Sequence, residues 1–327
     1  MNEEDFKDAF KQRIPLLNAM GEYVKNVVLK GINEFSSIGV PQNFLKMNPE
    51  YRVKDVESFI SKIFRKGKNY KDPLNDITDQ VGIRFVVLYY EDIEVIGKIV
   101  ESHPNWEYSL DRDIEEEKKA DPHHFSYQSK HYVVHPKDEI HTNGENLTKN
   151  IKCEIQIRTL LQHAYAELAH DTTYKPSQEA SPIVKRSVAK TSALIETTDS
   201  IFMEVRNTLE EQKKPVIRIM RICKDAYEKY IDEPIIFESK LREQIILPYL
   251  DMMKDLESSS LDAFIESNRV IITKIKENRI FSILFKCAEV LILYYLVRTE
   301  RFEVRQHWEH DIALLDIIYA DLGINPN

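Results

Sequence analysis

The sequence predicts a mixed α/β domain followed by an all-helical region. Three observations carry that prediction. Up to about residue 178, helical and strand patterns alternate in the order helix, strand, helix, strand, strand, helix, which suggests a mixed sheet flanked by helices. From 183 to 323 the pattern is almost entirely helical. Pro176 and Pro182 stand at the join and divide the chain into residues 1–178 and 179–327.

Each element has its own signal. In residues 3–33, Phe6, Phe10, Ile14, Leu17, Met20, Val24, Val27 and Val28 recur every three or four positions, a helical period; Pro15 is expected to kink or split that helix. Residues 34–50, with Pro41 and Pro49, read as a loop, and 56–64 as a short amphipathic helix. Residues 65–75 are basic and turn-like. The run 81–90 is dense in Ile, Val, Phe and Tyr and reads as a strand. Residues 92–103 read as helix, and a charged, flexible segment is expected around 111–124. Residues 127–135 and 151–158 read as strands, and 160–174 as helix. Beyond the join, Pro215, Pro234 and Pro248 punctuate the helices. The most apolar stretch, 280–297, reads as a buried helix or a self-association surface, and a homo-oligomer through the helical region is expected on that second reading.

Composition excludes several classes. With 327 residues, 43% apolar and 30% charged, the chain reads as soluble and globular. A net charge of −9 offers no global basic field for nucleic acid. Cys153, Cys223 and Cys287 are odd in number and lack zinc spacing, as expected in a reducing compartment. The opening residues are acidic, without the apolar core of a signal peptide. The stretch 280–297 is interrupted by Lys286 and Glu289 and is short for a bilayer. A cytoplasmic protein with no membrane association is expected. Only eight glycines are present, and the closest pair is Gly31 and Gly39. Neither GxGxxG nor GxxxxGK can therefore occur. Phosphates, if bound, would fall to Lys, Arg and a metal.

Five constellations carry polar chemistry. Arg52, Lys54, Ser58 and Lys62 place cations and a hydroxyl at one helix N-terminus, which suits a polyphosphate or an ordinary solvated basic face. Asp79 opens a buried-looking strand that also carries Arg84; it can hold Mg²⁺ or cap a turn. Strict alternation puts Glu154, Gln156 and Arg158 on one strand face, a costly row for an apolar core. Tyr127, Ser129 and His131 share a face as a base-stacking platform or a packed strand. His163, Glu167 and His170 lie at helical spacing without the HExxH order, so helix packing or phosphate contact from His170 and Lys175 is expected ahead of zinc.

Taken in order, these segments resemble the RelA/SpoT-type alarmone synthetases. The family pattern R-x-K-x-x-x-S is matched at residues 52–58 and D-x-x-G-I-R at 79–84. G-Y-x-S-x-H is met by Ser126-Tyr127-Gln128-Ser129-Lys130-His131. E-x-Q-I-R-T is matched at 154–159, and A-E-x-x-H-x-x-x-Y-K at 166–175. The resemblance implies a nucleotidyltransferase-like fold and transfer of pyrophosphate from ATP to the 3′-hydroxyl of GTP or GDP. It implies Asp79 and Glu154 as catalytic carboxylates and Mg²⁺ ligands. Arg52 and Arg84 would sandwich adenine, and Lys54, Ser58 and Lys62 would hold the ATP phosphates. Tyr127 would stack on the acceptor guanine, with Ser129, His131, Gln156 and Arg158 beside it. Ser126 stands where the family usually has Gly, and His123 where it commonly has Lys, so the acceptor subsite departs from the pattern. The hydrolase half of the long members, with its HD metal motif, is not visible; His170-Asp171 falls inside the synthetase's own last motif. Alternative readings are a relative that uses the 3′ end of tRNA as acceptor, with Arg65, Lys66, Lys68 and Lys71 on the backbone, or an inactive fold used as a binding module.

Overall fold

In a computed structural model of the chain, residues 2–36, 44–64, 70–113, 116, 119, 129–170, 172, 181–236 and 239–325 are described. The chain forms two compact units, Met1–Val205 and Arg206–Asn327, whose boundary falls inside a long helix.

The first unit begins with α1 (Glu3–Ser36), β1 (Tyr51–Val53), α2 (Val56–Phe64) and the single turn α3 (Pro73–Asp76). Next come β2 (Val81–Val87), α4 (Glu91–Ser102), β3 (Trp106–Arg112), β4 (Lys130–Pro136), β5 (Ile140–Thr142) and β6 (Glu145–Leu147). It continues through β7 (Cys153–Thr159) and α5 (Leu160–Ala169) into α6 (Pro182–Tyr230). Five strands form one mixed sheet in the order β1-β2-β7-β4-β3. Among the described strands of this sheet, β2 and β7 pair in parallel and the other neighbours antiparallel.

Period-two alternation sorts this sheet into two faces. Ile83, Phe85, Ile155, Ile157, Tyr132 and Val134 are buried in one core with Phe10, Leu17 and Met20 of α1 and Ile93 and Ile96 of α4. The other face of the same strands carries Arg52, Arg84, His131, Glu154, Gln156 and Arg158. Phe10 stacks on Phe59 of α2 at 4.2 Å between ring centroids, which ties α2 to the same core.

The structure departs from the sequence expectations at several places. Pro15 does not split α1, which runs unbroken over 34 residues. Pro15 and Lys11, whose carbonyl loses its partner to the proline ring, are both exposed, so water satisfies that group. Pro215 likewise lies inside α6 rather than ending it. The charged stretch expected to be flexible begins within a strand: β3 is an edge strand with only Trp106 buried, so no alternation marks it. The small β5–β6 hairpin was not expected either; its turn residues Asn143 and Gly144 have φ of 50° and 78°, as a two-residue hairpin loop demands.

The second unit continues from α6 into α7 (Ser239–Ile246), the 3₁₀ turn Leu247–Met253, α8 (Ser258–Ser267) and α9 (Val270–Asn278). It ends with the 3₁₀ turn Ile283–Lys286, α10 (Val290–Thr299), α11 (Arg301–Gln306) and α12 (Ile312–Asp321). The stretch 280–297 is therefore not one helix. Ile280 and Phe281 are exposed, Ser282 caps the short turn by accepting from the Leu284 amide, and extended backbone at Cys287 separates it from α10. Only α10 is the expected core helix, with Val290 to Tyr294, Leu296 and Val297 all buried. Beside it, Glu289 forms a buried ion pair with Arg242 at 2.6 Å. No helix among the described residues is long and apolar enough to cross a membrane.

Candidate active site

The site is built on the polar face of the five-stranded sheet. Register brings its residues together across strands. Arg52 pairs with Gly82, Gly82 with Glu154, Arg84 with Gln156, and Gln156 with His131. Residues from four segments thus meet on one surface. A glycine at position 82 leaves the floor between Arg52 and Glu154 without a side chain.

Asp79 lies in the turn before β2. Its position is set by Gln80, whose buried side-chain amide donates to the carbonyls of Leu74 (2.7 Å) and Ile77 (2.8 Å), while the Gln80 backbone carbonyl accepts from the Lys54 backbone amide. Sequence reasoning missed Gln80; its one signal is an amide directly before a strand rich in apolar residues. The Asp79 carboxylate is gripped from both sides, by Lys54 Nζ at 2.7 Å on Oδ2 and Lys62 Nζ at 2.8 Å on Oδ1. Burial works to raise its pKa, but the two ammonium groups hold it below the ordinary value. Lys62 reaches the site from the last turn of α2. The start of α2 is occupied by the protein itself: the Asp55 carboxylate accepts from the Ser58 amide at 3.1 Å, an N-cap the sequence reading did not single out. The Ser58 residue itself is exposed.

Glu154 stands on β7 with Oε1 accepting from the Gln156 side-chain amide (2.7 Å) and lying 3.2 Å from His131 Nδ1. Gln156 in turn accepts from the Arg158 guanidinium. Burial raises the Glu154 pKa, but the contacts from His131 and Gln156 outweigh it and leave the group below its ordinary value. The Asp79 charge acts in the opposite direction on Glu154, which places the two carboxylates within electrostatic reach of each other.

The remaining expected residues spread outward from this centre. Arg52 and Arg84 are exposed, and Arg84 Nη1 lies 3.3 Å from Glu167 on α5. Glu167 is also 3.9 Å from His163 Nδ1, whose pKa is lowered by burial and by Arg158 and Arg84 nearby. Arg158 is only 1% exposed, and Ser129, also buried, donates to the Ile157 carbonyl at 3.4 Å. His170 is exposed at the end of α5. Tyr127 and Lys175, with Ser126 and His123, lie outside the described residues. Thr159 closes the motif as the N-cap of α5, in a reciprocal capping box with Gln162, and donates to Asp199 at 2.9 Å.

Asp79 and Glu154 offer hard carboxylate oxygens on one polar surface beside two lysines. That donor set suits Mg²⁺ shared with phosphate oxygens, since Mg²⁺ takes one or two carboxylates and completes its shell with substrate and water. Among the described residues, no cluster of three or more His, Cys, Asp or Glu side chains could hold a metal alone.

The mixed sheet has one apolar face under helices and one charged face. The structure superposes on small alarmone synthetase 1 from Bacillus subtilis with a TM-score of 0.51, at 24% identity, over 62% of this chain and 99% of that one. The same protein bound to its product pppGpp gives a TM-score of 0.50 at 24% identity, over 62% of this chain and 98% of that one. Residues 51–179 match the family described as the region found in RelA / SpoT proteins. The chain is 30% identical over 129 residues to GTP pyrophosphokinase YwaC of Bacillus subtilis (strain 168), covering 38% of this chain. That alignment spans 56% of YwaC, little more than half its length. To GTP pyrophosphokinase YjbM of the same organism it is 29% identical over 205 residues, 61% of this chain and 88% of that protein. Residues 51–179 are thus similar to the RelA/SpoT region, and the fold is shared with a small alarmone synthetase.

Proposed function

We propose that this chain is an ATP:nucleotide 3′-pyrophosphotransferase, a GTP pyrophosphokinase that moves the pyrophosphate of ATP to the 3′-hydroxyl of GTP or GDP and makes (p)ppGpp. The observation that carries this reading is a pair of held carboxylates within electrostatic reach of each other: Asp79, in the turn before β2, held by Lys54 and Lys62, and Glu154, on β7, held by His131 and Gln156.

The chemistry asks mainly for charge neutralisation and in-line placement. The acceptor 3′-oxygen attacks the β-phosphorus, and AMP leaves with the bonding pair. Lys54 and Lys62 exchange Asp79 for triphosphate oxygens and counter the charge that builds there. Arg52 and Arg84 are diagonal neighbours on adjacent strands, roughly 7–8 Å apart at the backbone, a spacing that admits one purine between two guanidinium planes. Glu154, kept ionised, receives the 3′-hydroxyl proton and aims that oxygen. Asp79 and Glu154 would hold Mg²⁺, which when bound would supply charge neutralisation for the transferring pyrophosphate. Tyr127 is assigned to the acceptor base through the family motif. Soluble nucleotide substrates agree with the cytoplasmic setting expected from the sequence.

The test is incubation with γ-labelled ATP, Mg²⁺ and, separately, GDP, GTP and tRNA. Label is expected on GDP or GTP. Label on tRNA alone would replace the acceptor, and no transfer to any of the three would remove the enzymatic reading. Glu154→Gln is expected to lower kcat by roughly 10²–10⁴, the range for losing a positioned acid–base group, and Asp79→Asn to lower kcat strongly as well, both in protein that still folds.

A further inference from the structure

Gln156 is expected from the family motif to touch the acceptor, but its geometry gives it another task. The alternation of β7 sets Glu154, Gln156 and Arg158 in a row on one face. Gln156 lies between two partners of opposite character. A guanidinium can only donate, so the Gln156 carbonyl must face Arg158. The amide NH₂ is thereby turned towards Glu154, whose Oε1 it meets at 2.7 Å. The orientation of this amide, ambiguous from atom positions alone, is set by the chemistry of Arg158. Arg158 itself is 1% exposed and so has little freedom to turn away.

Both ends of the Gln156 amide are used within the protein. On Glu154, Oε1 is engaged twice, by Gln156 and by His131 at 3.2 Å. No hydrogen bond among the described residues reaches Oε2. A carboxylate gripped by one oxygen has its rotation stopped and presents the other oxygen in a fixed direction.

We infer that Arg158 and Gln156 form a positioning relay that locks the Glu154 carboxylate with Oε2 turned to the reacting 3′-hydroxyl, so that Gln156 acts on turnover and not on acceptor affinity. The inference rests on the pyrophosphotransferase reading above. The relay has the form of an outer-shell partner that orients a functional carboxylate. Losing such a partner costs about 10–100-fold.

The test is steady-state kinetics of Gln156→Glu and Gln156→Leu beside the wild type, with ATP and GDP varied in turn. Gln156→Glu keeps an acceptor for Arg158, so that guanidinium stays paired, but it replaces the amide hydrogen bond to Glu154 with a like-charged neighbour that repels the carboxylate or shares its proton. Gln156→Leu removes both bonds and, if it does not fold, Gln156→Glu alone decides. The expected result is a fall in kcat of about 10–100-fold with KM for GDP and ATP within about twofold of wild type. A raised KM for GDP with unchanged kcat would place Gln156 on the acceptor and overturn the relay, as would wild-type kinetics in Gln156→Glu. Wild-type protein that transfers label to no acceptor would instead remove the underlying reading, an outcome distinct from either.

Discussion

Asp79 is the residue on which electrostatics bear most. Its carboxyl is held below the ordinary value of 3.8 because two lysines outweigh the effect of burial. A group depressed in the folded state contributes stability above its unfolded pKa and loses it as pH falls through the folded value. The Asp79 ion pairs therefore stabilise the fold at neutral pH and down to about pH 4, and fade below that. Urea melts should show Asp79→Asn less stable than wild type at pH 7, with the gap closing as the pH falls below about 4; a gap that widens in acid would contradict the geometry. At this scale the sequence was legible where spacing along one strand was enough. Glu154, Gln156 and Arg158 share a face because strands alternate. Cross-strand neighbours were not legible: nothing in the spacing says that His131 abuts Glu154 or that Lys62 reaches Asp79. Local backbone partners such as Asp55 and Gln80 were visible as residues but not as the groups that set the turn.

Elements hold these residues at the right separation, and β1 illustrates how. This three-residue strand carries Arg52, and Tyr51 beside it lies against Gly21 of α1. A methyl group added at Gly21 would come within 2.5 Å of the Tyr51 ring, closer than carbon atoms approach. Gly21→Ala should therefore push Tyr51 and β1 aside. We expect a loss of about 1–3 kcal/mol in stability and a raised KM for ATP through Arg52, read by denaturant melts and kinetics. Unchanged values in both would show that β1 is not fixed by this contact. Long periodic elements such as α1, α2 and α4 were legible in the sequence because their apolar stripes face the core. The edge strand β3 was not, since solvent covers nearly all of it and removes the alternation on which strand recognition depends. The Asn143-Gly144 hairpin carries a strong turn signal, but its strands are too short to show a pattern around it.

Across the whole molecule, the two units have separate cores, and the candidate site lies wholly in the first. The fully buried Glu289 and its partner Arg242 belong to the second. Glu289→Ala would strand a buried guanidinium, and we expect a cost of about 3–5 kcal/mol to the second unit while pyrophosphate transfer persists; denaturation monitored alongside activity reads both. Loss of transfer under conditions where the second unit remains folded would tie Glu289 to the chemistry. The helical character of this unit was legible from its pattern, but the ion pair was not, because Arg242 and Glu289 lie far apart in the chain. The central claim, that one face of a mixed sheet moves a pyrophosphoryl group as a unit, is tested most directly by product stoichiometry. With ATP, Mg²⁺ and GDP, the predicted result is one AMP formed for each γ-label transferred to the acceptor. ADP or free phosphate accumulating in place of AMP would mean attack at the γ-phosphorus and would contradict the account.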